Sequence, residues 1–218
     1  MGAEDKVGAL QLNARLCGVS PPVTRRLVIT EQASLAQLHA ALQVSFGWSD
    51  EHLYVFQIRG WQFGDPARAI ELALAGGGVD MALAAFAFEV NESFQYHYDL
   101  NVPWKIDCRI EFRSLVPRDQ PLGCLAARGD PPDEDVKGPA AYPDWLESSS
   151  SAWAVHQIEE LLDGDLDGAQ LRAEVLDIVR SARPSQPRRR SIDQRLRKLP
   201  AIHWDAGSLY EDADSTDH

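Results

Sequence analysis

Length, composition and charge limit the classes of protein that this chain can belong to. Its 218 residues, of which 44% are hydrophobic, can bury one good core, so we expect one domain with a short appended tail. The chain has no apolar run of membrane-spanning length and no secretory signal pattern, so we expect no membrane insertion, no export and a cytoplasmic location. The net charge of −12 makes the body of the chain a poor binder of polyanions.

The three cysteines, Cys17, Cys108 and Cys124, are widely separated and form no Cys-x-x-Cys pair. This spacing predicts neither a disulfide framework nor a zinc finger. Because a free cysteine packs as a small hydrophobic side chain, we expect buried or half-buried thiols in a reducing compartment.

The first part of the chain predicts a hairpin and then a helix. Residues 7–19 alternate apolar and polar side chains, and β-type composition resumes at residues 25–29 after two prolines, which indicates two antiparallel strands. Ser34 and Gln37 have the spacing of a capping box, which predicts a helix over residues 34–46 that Gly47 ends.

The middle of the chain predicts further strands. Residues 53–58 are apolar on both faces, which favours an interior strand. The pattern is weak over residues 65–92, where only short helical turns at 67–74 and 80–86 are predicted. Alternation over residues 93–100 and 104–115 predicts a second antiparallel hairpin that closes the sheet.

Helices follow the strands. Residues 117–143 hold six of the thirteen prolines and are predicted to be a long loop. Helices are predicted at 144–148 and 151–162, and a further one begins at the N-cap Asp167. Strands that come first and helices that come later favour an α+β fold, with a mostly antiparallel β-sheet packed with helices, in a single domain over residues 5–182.

Residues 183–218 are predicted to be a disordered tail that is basic and then acidic. Residues 183–199 hold seven Arg or Lys against one Asp, whereas the stretch from Pro200 carries five acidic residues and no basic one. A basic arm of this kind can hold nucleic acid or an acidic partner, although such runs are also typical of a solvated tail, and the acidic stretch is able to fold back over the basic one. The candidate contact residues are Arg188, Arg189, Arg190, Arg195, Arg197 and Lys198.

Several short motifs occur in a characteristic order over residues 9–146. They are Pro21-Pro22-Val23-Thr24-Arg25-Arg26, Leu38-His39, Phe46-Gly47-Trp48, His52-Leu53-Tyr54-Val55-Phe56, Tyr96-His97-Tyr98-Asp99 and Trp104. With them the chain resembles the Ri-plasmid ORF-three-like family, whose members are also labelled insertion-element passenger proteins of TnpR type. The resemblance implies an association with plasmids or mobile elements, and it implies no defined reaction.

The chain departs from the family pattern at two polar positions. Leu100-Asn101-Val102 stands where the family has Phe-Gly-Asp, and Ile106 stands where it has His. The acidic late loop around Pro131-Pro132-Asp133-Glu134-Asp135 is kept, and so is Cys124. If the two polar positions form a metal or catalytic centre in relatives, we expect this chain to have lost it.

The candidate residues for a pocket or for partner binding are His39, Trp48, His52, Tyr98, Asp99 and Trp104. His39 shares a helix face with Leu35 and Leu42, which is typical of a histidine at the edge of a core. The functional interpretation is that His39 and His52 converge and that Asp99 orients one of them, a set of side chains that also suits a metal ion. The aromatic residues are more typical of a sheet core than of a base-stacking platform.

Two functions stay open from the sequence alone. The preferred one is a non-enzymatic binding or accessory module that holds a protein or nucleic-acid partner through its loops and basic tail. The alternative is a small-molecule or metal-dependent enzyme with a degenerate site around His39, His52 and Asp99. No nucleophile elbow, phosphate loop or zinc-protease motif occurs, so no catalytic residue, metal site or cofactor is assigned.

Overall fold

The computed structural model describes residues 6–64, 77–118, 122–162, 167–181 and 189–199. Within these ranges the strands are β1 (Lys6–Leu16), β2 (Thr24–Thr30), β3 (Tyr54–Ile58), β4 (Trp61–Gly64), β5 (Gly77–Gly78), β6 (Ser93–Tyr98), β7 (Trp104–Pro117) and β8 (Gly123–Arg128). The helices are α1 (Leu35–Phe46), α2 (Tyr142–Ser148), α3 (Ser151–Leu162), α4 (Gly168–Ser181) and α5 (Arg189–Leu196). The fold is α+β, as predicted. None of the described helices is long and apolar enough to span a bilayer.

One sheet contains all of these strands, in the order β5-β4-β3-β6-β7-β1-β2-β8. Every neighbouring pair is antiparallel except β4 with β5. The predicted hairpin of β1 with β2 is confirmed, and β3 is an interior strand because it lies between β4 and β6. The second predicted hairpin, β6 with β7, is also present. It lies in the middle of the sheet instead of closing it, because β7 pairs with β1 as well.

Helix α1 begins and ends where the sequence predicts. The Ser34 hydroxyl oxygen accepts a hydrogen bond from the backbone N–H of Gln37 at 3.2 Å, and the Gln37 side-chain oxygen accepts one from the Ser34 N–H at 2.9 Å. Gly47 then takes a left-handed conformation with φ of 77°, which glycine adopts at little cost. The apolar face of the helix is at most 1% exposed; its residues are Leu35, Leu38, Leu42 and Phe46.

The sheet has an inner face, which α1 covers, and an outer face on the opposite side. Residues that lie directly opposite one another in an antiparallel ladder share a face. Phe56, Tyr96 and Ile106 form one such row, and all three are fully buried against the α1 side. The next row along the strands, Gln57, Gln95 and Asp107, therefore belongs to the outer face, and its side chains are half-buried.

The segment 117–143 was predicted as a loop, and the structure corrects this. Strand β8 forms within it and pairs with β2, with a register shift between Arg26 and Leu27. The shift interrupts the alternation of buried and exposed side chains, which is the signal by which a strand is predicted from sequence. A short 3₁₀ turn, Pro139–Ala141, follows later in the same segment.

The segment 65–92 contains more structure than its weak pattern predicts. Strand β5 forms within it and pairs in parallel with β4, which follows β3 through a turn in which Arg59 and Gly60 have positive φ angles. The helical turn predicted at 80–86 corresponds to a 3₁₀ turn at Leu83–Phe86. The turn predicted at 67–74 lies outside the described residues.

The helices after the strands agree with the sequence. Helix α3 has the predicted bounds, and Asp167 caps α4 by accepting the backbone N–H groups of Ala169 and Gln170 at 2.8 and 2.9 Å. All three cysteines are free, with Cys108 and Cys124 buried and Cys17 half-buried, as predicted for their burial. Burial raises the pKa of all three thiols.

Helix α5 corrects the prediction of a disordered tail from residue 183. Ile192 and Leu196 are 7% and 2% exposed and belong to the core, where α5 packs against β8 and α1. Asp193 accepts the backbone N–H of Cys124 at 3.1 Å, so the helix also binds strand β8. Two apolar residues in a basic stretch are too weak a signal to predict a docked helix. Residues 183–188, with Arg188, and 200–218 lie outside the described residues, and the domain boundary at 182 stays a prediction.

Candidate functional site

Three of the predicted site residues meet in one aromatic cluster at the end of α1. Trp48 stacks on Tyr98 with ring centres 5.0 Å apart and an angle of 14° between the planes. Trp104 lies opposite Tyr98 in the ladder, and its ring centre is 6.4 Å from that of Trp48. All three side chains are at most 4% exposed. The cluster is therefore part of the core, as the aromatic pattern predicts.

The late acidic loop closes over this cluster. The indole N–H of Trp48 donates to the carbonyl oxygen of Pro132 at 3.0 Å. One carboxylate oxygen of Glu134 accepts the Tyr98 hydroxyl and the backbone N–H of Glu51, the latter at 3.0 Å. The other accepts the backbone N–H of Ser49 at 2.7 Å and the Ser49 hydroxyl. The carboxylate thus binds the loop between α1 and β3 to the loop after β8.

The electrostatics of Glu134 fit this role. Burial alone raises the pKa of its carboxyl group, but the hydrogen bonds from Ser49 and Glu51 and the charge of His52 lower it by more. The net result is a pKa below its ordinary value of 4.5, so the carboxylate is charged at neutral pH. A carboxylate with this many donors is engaged within the fold.

His39 has a different set of partners. Its Nδ1 lies 2.8 Å from the hydroxyl of Tyr96, which also accepts a hydrogen bond from the Gln43 amide at 2.8 Å. Its Nε2 lies 2.9 Å from a carboxylate oxygen of Asp50, within ion-pair distance but outside hydrogen-bond geometry. The ring stacks on Tyr54 with centres 3.6 Å apart. Burial lowers the pKa of His39, and Asp50 opposes this, so the imidazole is neutral at neutral pH.

The other two members of the predicted pocket lie among different neighbours. The half-buried ring of His52 meets the edge of Tyr98, with centres 5.7 Å apart. Asp99 is buried in a positive-φ conformation, and its carboxylate accepts the backbone N–H of Asn101 at 3.2 Å. Across the described ranges, no group of three or more His, Cys, Asp and Glu side chains is placed to hold a metal ion.

The two positions where the chain departs from the family pattern are apolar in structure as well as in sequence. Ile106 is fully buried on the inner face, where a histidine would have to be accommodated inside the core. Val102 packs so closely against Gly138 that an added Cβ there would lie 2.6 Å from the valine side chain. Within the described part of the chain, the indole nitrogen of the nearby Trp104 has no hydrogen-bond partner.

Arg25 is the largest charged side chain in the core. It is fully buried and donates to the carbonyl oxygens of Ser45 at 2.7 Å and Arg128 at 2.9 Å, and its guanidinium carbon lies 5.1 Å from the Phe46 ring centre. Burial lowers its pKa to about 10, so it remains a cation at neutral pH. Arg25 therefore connects β2 to the end of α1 and the end of β8.

The basic candidates of the tail lie on α5 and just after it. Among the described ones, Arg189, Arg190, Arg195, Arg197 and Lys198 are all exposed. Only Arg197 has an ion pair within the described chain, at 2.9 Å to Asp193. These cations lie on a docked helix and on the turn that follows it, instead of on a disordered arm.

Several residues with central roles were missed from sequence. Glu134, Asp50, Gln43, Tyr96 and Arg25 carry much of the polar network, yet none was a candidate. The acidic loop was recognised as a motif, but a glutamate in a proline-rich loop gives no sign that it will accept several hydrogen bonds. For Arg25 a signal did exist, because Arg25, Leu27 and Ile29 share the buried face of an alternating strand.

Comparison with known families places this chain in one of them. The model of the plasmid pRiA4b ORF-3-like protein family matches residues 8–175, which is most of the chain. The chain belongs to the pRiA4b ORF-3-like family. The matched range includes Arg25, Trp48, Tyr98 and Trp104, and in the structure Phe46 contacts both Arg25 and Trp48, while Trp48 stacks on Tyr98.

Two individual proteins are similar to this pRiA4b ORF-3-like chain. Uncharacterized protein y4hQ of Sinorhizobium fredii (strain NBRC 101917 / NGR234) is 33% identical over 144 residues, which cover 64% of this chain and 72% of y4hQ. The crystal structure of the protein of unknown function MM3350 from Methanosarcina mazei Go1 aligns with a TM-score of 0.60 at 20% identity, over 84% of this chain and 95% of that protein. The second likeness is one of fold.

Proposed function

We propose that this protein is a non-enzymatic binding module of the cytoplasm that holds nucleic acid on the basic surface of α5. The observation that carries the proposal is a docked helix with five exposed cations on it and on the turn that follows it: Arg189, Arg190, Arg195, Arg197 and Lys198. Ile192 and Leu196 anchor its other side in the core. Nucleic-acid affinity arises mainly from cations that neutralise phosphates, and a fixed helix loses less conformational entropy on binding than a disordered arm.

The polar side chains on which the alternative, enzymatic interpretation depends have partners within the fold, and this supports the proposal. His39 is stacked on Tyr54 and bonded to Tyr96, and it is 6% exposed. Asp99 is 8% exposed and accepts a backbone N–H. Side chains with such internal partners contribute to the stability of the fold, whereas the cations of α5 face solvent.

Charge removal on α5 tests the proposal without unfolding the helix. Truncation after residue 182 would remove Ile192 and Leu196 from the core, so substitutions are the sharper choice. We expect the Arg190→Ser, Lys198→Ser double variant to bind a labelled duplex oligonucleotide more weakly. The slope of log affinity against log salt should fall by about 1.8, because each phosphate that is no longer neutralised lowers it by roughly 0.9.

A matched control separates a local site from overall charge. Lys137 and Arg172 are exposed and belong to other elements, a loop and helix α4, and the Lys137→Ser, Arg172→Ser variant removes the same charge. This control should keep the affinity and the salt slope of the unsubstituted protein. Equal losses in both double variants, or none in either, would contradict the proposal.

The acidic stretch offers a second test of the same surface. Removal of residues 200–218 deletes five acidic residues and no basic one. Because these carboxylates follow α5 directly in the chain, we expect the protein ending at Leu199 to bind the duplex more tightly, most clearly at low salt. A truncated protein that binds more weakly would show that the stretch contributes contacts instead of repulsion.

A further inference from the structure

The outer face of the sheet carries charge of the opposite sign to the protein as a whole. Its strands present Arg15, Arg26, Lys105, Arg109 and Arg128 against two acidic residues, Asp107 and Glu111. The whole chain, in contrast, has a net charge of −12. A polar outer face is ordinary for an antiparallel sheet, but an excess of cations on an acidic protein is not explained by solvation alone.

Ion pairing leaves most of these cations uncompensated. The Glu111 carboxylate accepts two hydrogen bonds from the Arg26 guanidinium, at 2.5 and 2.9 Å, and one from the side-chain amide of Gln11. Arg109 donates only to a neutral partner, the Asn91 amide oxygen at 2.8 Å. Lys105 and Arg128 have no ion pair in the described part of the chain. Asp107, the other of the two acidic residues named above, accepts a hydrogen bond from the side-chain amide of Gln95 at 2.9 Å.

The register places four of the five cations in two rows that run across the strands. Arg15 lies opposite Asp107 on one side and Thr24 on the other, and Thr24 lies opposite Arg128. A parallel row runs through Arg109, Asn13 and Arg26. With neighbouring strands about 4.7–4.9 Å apart, the first row, from β7 to β8, spans about 14 Å.

The same face holds the other groups that recognise unpaired bases. Phe112 lies opposite Gln11 on the outer face and is 58% exposed, a large aromatic surface left in solvent. Amide side chains flank the cations on the neighbouring strands, among them Gln57, Gln95 and Asn13. Cationic rows with an exposed aromatic ring and amides are typical of surfaces that bind single-stranded nucleic acid, in which the bases are free to stack and to form hydrogen bonds.

We propose that the outer face across β7, β1, β2 and β8 is a second binding surface whose occupant is single-stranded nucleic acid. This inference goes beyond the function proposed for α5 and does not depend on it. Lys105, Arg109, Arg15 and Arg128 contact phosphates, Phe112 stacks on a base, and the neighbouring amides bind base edges. Duplex nucleic acid binds this face more weakly, because its bases are paired and stacked within the helix.

The test compares two double variants that remove equal charge. Lys105→Ser, Arg128→Ser should bind a labelled single-stranded oligonucleotide more weakly, and its salt slope should fall by about 1.4, at roughly 0.7 for each phosphate that is no longer neutralised. Lys137→Ser, Arg172→Ser should behave as the unsubstituted protein. Phe112→Ser should weaken single-strand binding with little change in the salt slope, because it removes stacking and no charge.

Three outcomes would overturn the inference. Equal affinity of the two double variants for the single strand would show that the outer face has no specific part in binding. If unlabelled duplex or polyglutamate displaced the labelled single strand as effectively as unlabelled single strand does, single-stranded nucleic acid would not be the specific occupant of the outer face. If single-strand binding were lost in the Arg190→Ser, Lys198→Ser variant and kept in the outer-face variant, the single strand would be bound at α5 and not on the outer face. Loss of duplex binding in the Arg190→Ser, Lys198→Ser variant concerns only the function proposed for α5.

Discussion

Arg25 and Arg26 are neighbours in β2, yet they belong to the two different faces of the sheet. Arg25 is fully buried on the inner face and donates only to backbone carbonyls there. Arg26, on the outer face, has a side chain that is 44% exposed and is paired with Glu111. The same residue type thus stabilises the fold on one face and supplies surface charge on the other. Arg25, the first arginine of the Arg25-Arg26 motif, therefore stabilises the fold.

Replacement of Arg25 should have the largest effect on the free energy of unfolding, and it tests the difference between Arg25 and Arg26 most directly. We expect Arg25→Met to lower the free energy of unfolding by about 3–5 kcal/mol, since the carbonyls of Ser45 and Arg128 would each lose a partner at roughly 1–3 kcal/mol. Arg26→Met is the matched control and should cost less than about 1 kcal/mol, as an exposed ion pair contributes little. Urea unfolding of the two variants measures both values, and similar costs would refute the distinction.

Removal of apolar side chains from α1 comes next. We expect Leu42→Ala and Leu38→Ala each to cost about 2–5 kcal/mol, because both side chains are fully buried between the helix and the inner face. Denaturant unfolding measures this cost. Near-neutral values would mean that the helix face is not docked on the sheet.

Glu134 should have a smaller effect that depends on pH. We expect Glu134→Gln to cost about 1–3 kcal/mol at pH 7, because the loop after β8 loses charge-assisted hydrogen bonds to Ser49 and Tyr98. Since the folded pKa lies below 4.5, this contribution is present above pH 4.5 and is lost as pH falls through the folded value. Stability profiles of both proteins should therefore converge in acid. Asp135→Asn, an exposed neighbour, should have no comparable effect.

His39 should make stability fall on mild acidification. Its folded pKa lies below 6.5, so the unfolded chain takes up the proton first, and stability present above pH 6.5 is lost as pH falls towards the folded value. We expect the free energy of unfolding to fall less steeply between pH 7 and pH 5 in His39→Phe than in the unsubstituted protein. Parallel slopes would contradict the burial of a neutral imidazole.

The outer face should show the smallest effect on stability. We expect Lys105→Ser, Arg128→Ser to change the free energy of unfolding by no more than about 0.5 kcal/mol, because exposed cations outside any ion pair contribute little to the fold. Thermal unfolding of the double variant checks this. A large loss of stability would mean that these side chains serve the structure, and their effect on binding would then need another explanation.

Periodicity predicted the parts of the fold that local sequence determines. Helix α1 has a capping box, an apolar face and a glycine stop, and the two hairpins have regular alternation, so all of them were predicted. Strand β8 and helix α5 were not predicted, because neither has a strong local signal: β8 has a register shift and α5 has only two buried apolar residues. The two elements stabilise each other, and Asp193 of α5 forms a hydrogen bond with β8. Such pairs depend on tertiary contacts.

The candidate site was predicted in its aromatic part and missed in its polar part. Trp48, Tyr98 and Trp104 were found because they stand in family motifs, and the structure places them together. Glu134 and Arg25 were missed because charged residues are exposed by default, and only the folded chain shows the donors and carbonyls around them. The outer face was missed for a related reason, since its cations come from strands that are distant in sequence.

The most direct test of the account is the binding of the full-length protein to single-stranded and duplex oligonucleotides over a series of salt concentrations. The account predicts measurable binding at low salt, with log affinity that falls linearly with log salt for both ligands. Absence of binding to either ligand at low salt would contradict it, and the cations of α5 and of the outer face would then be no more than a solvated surface.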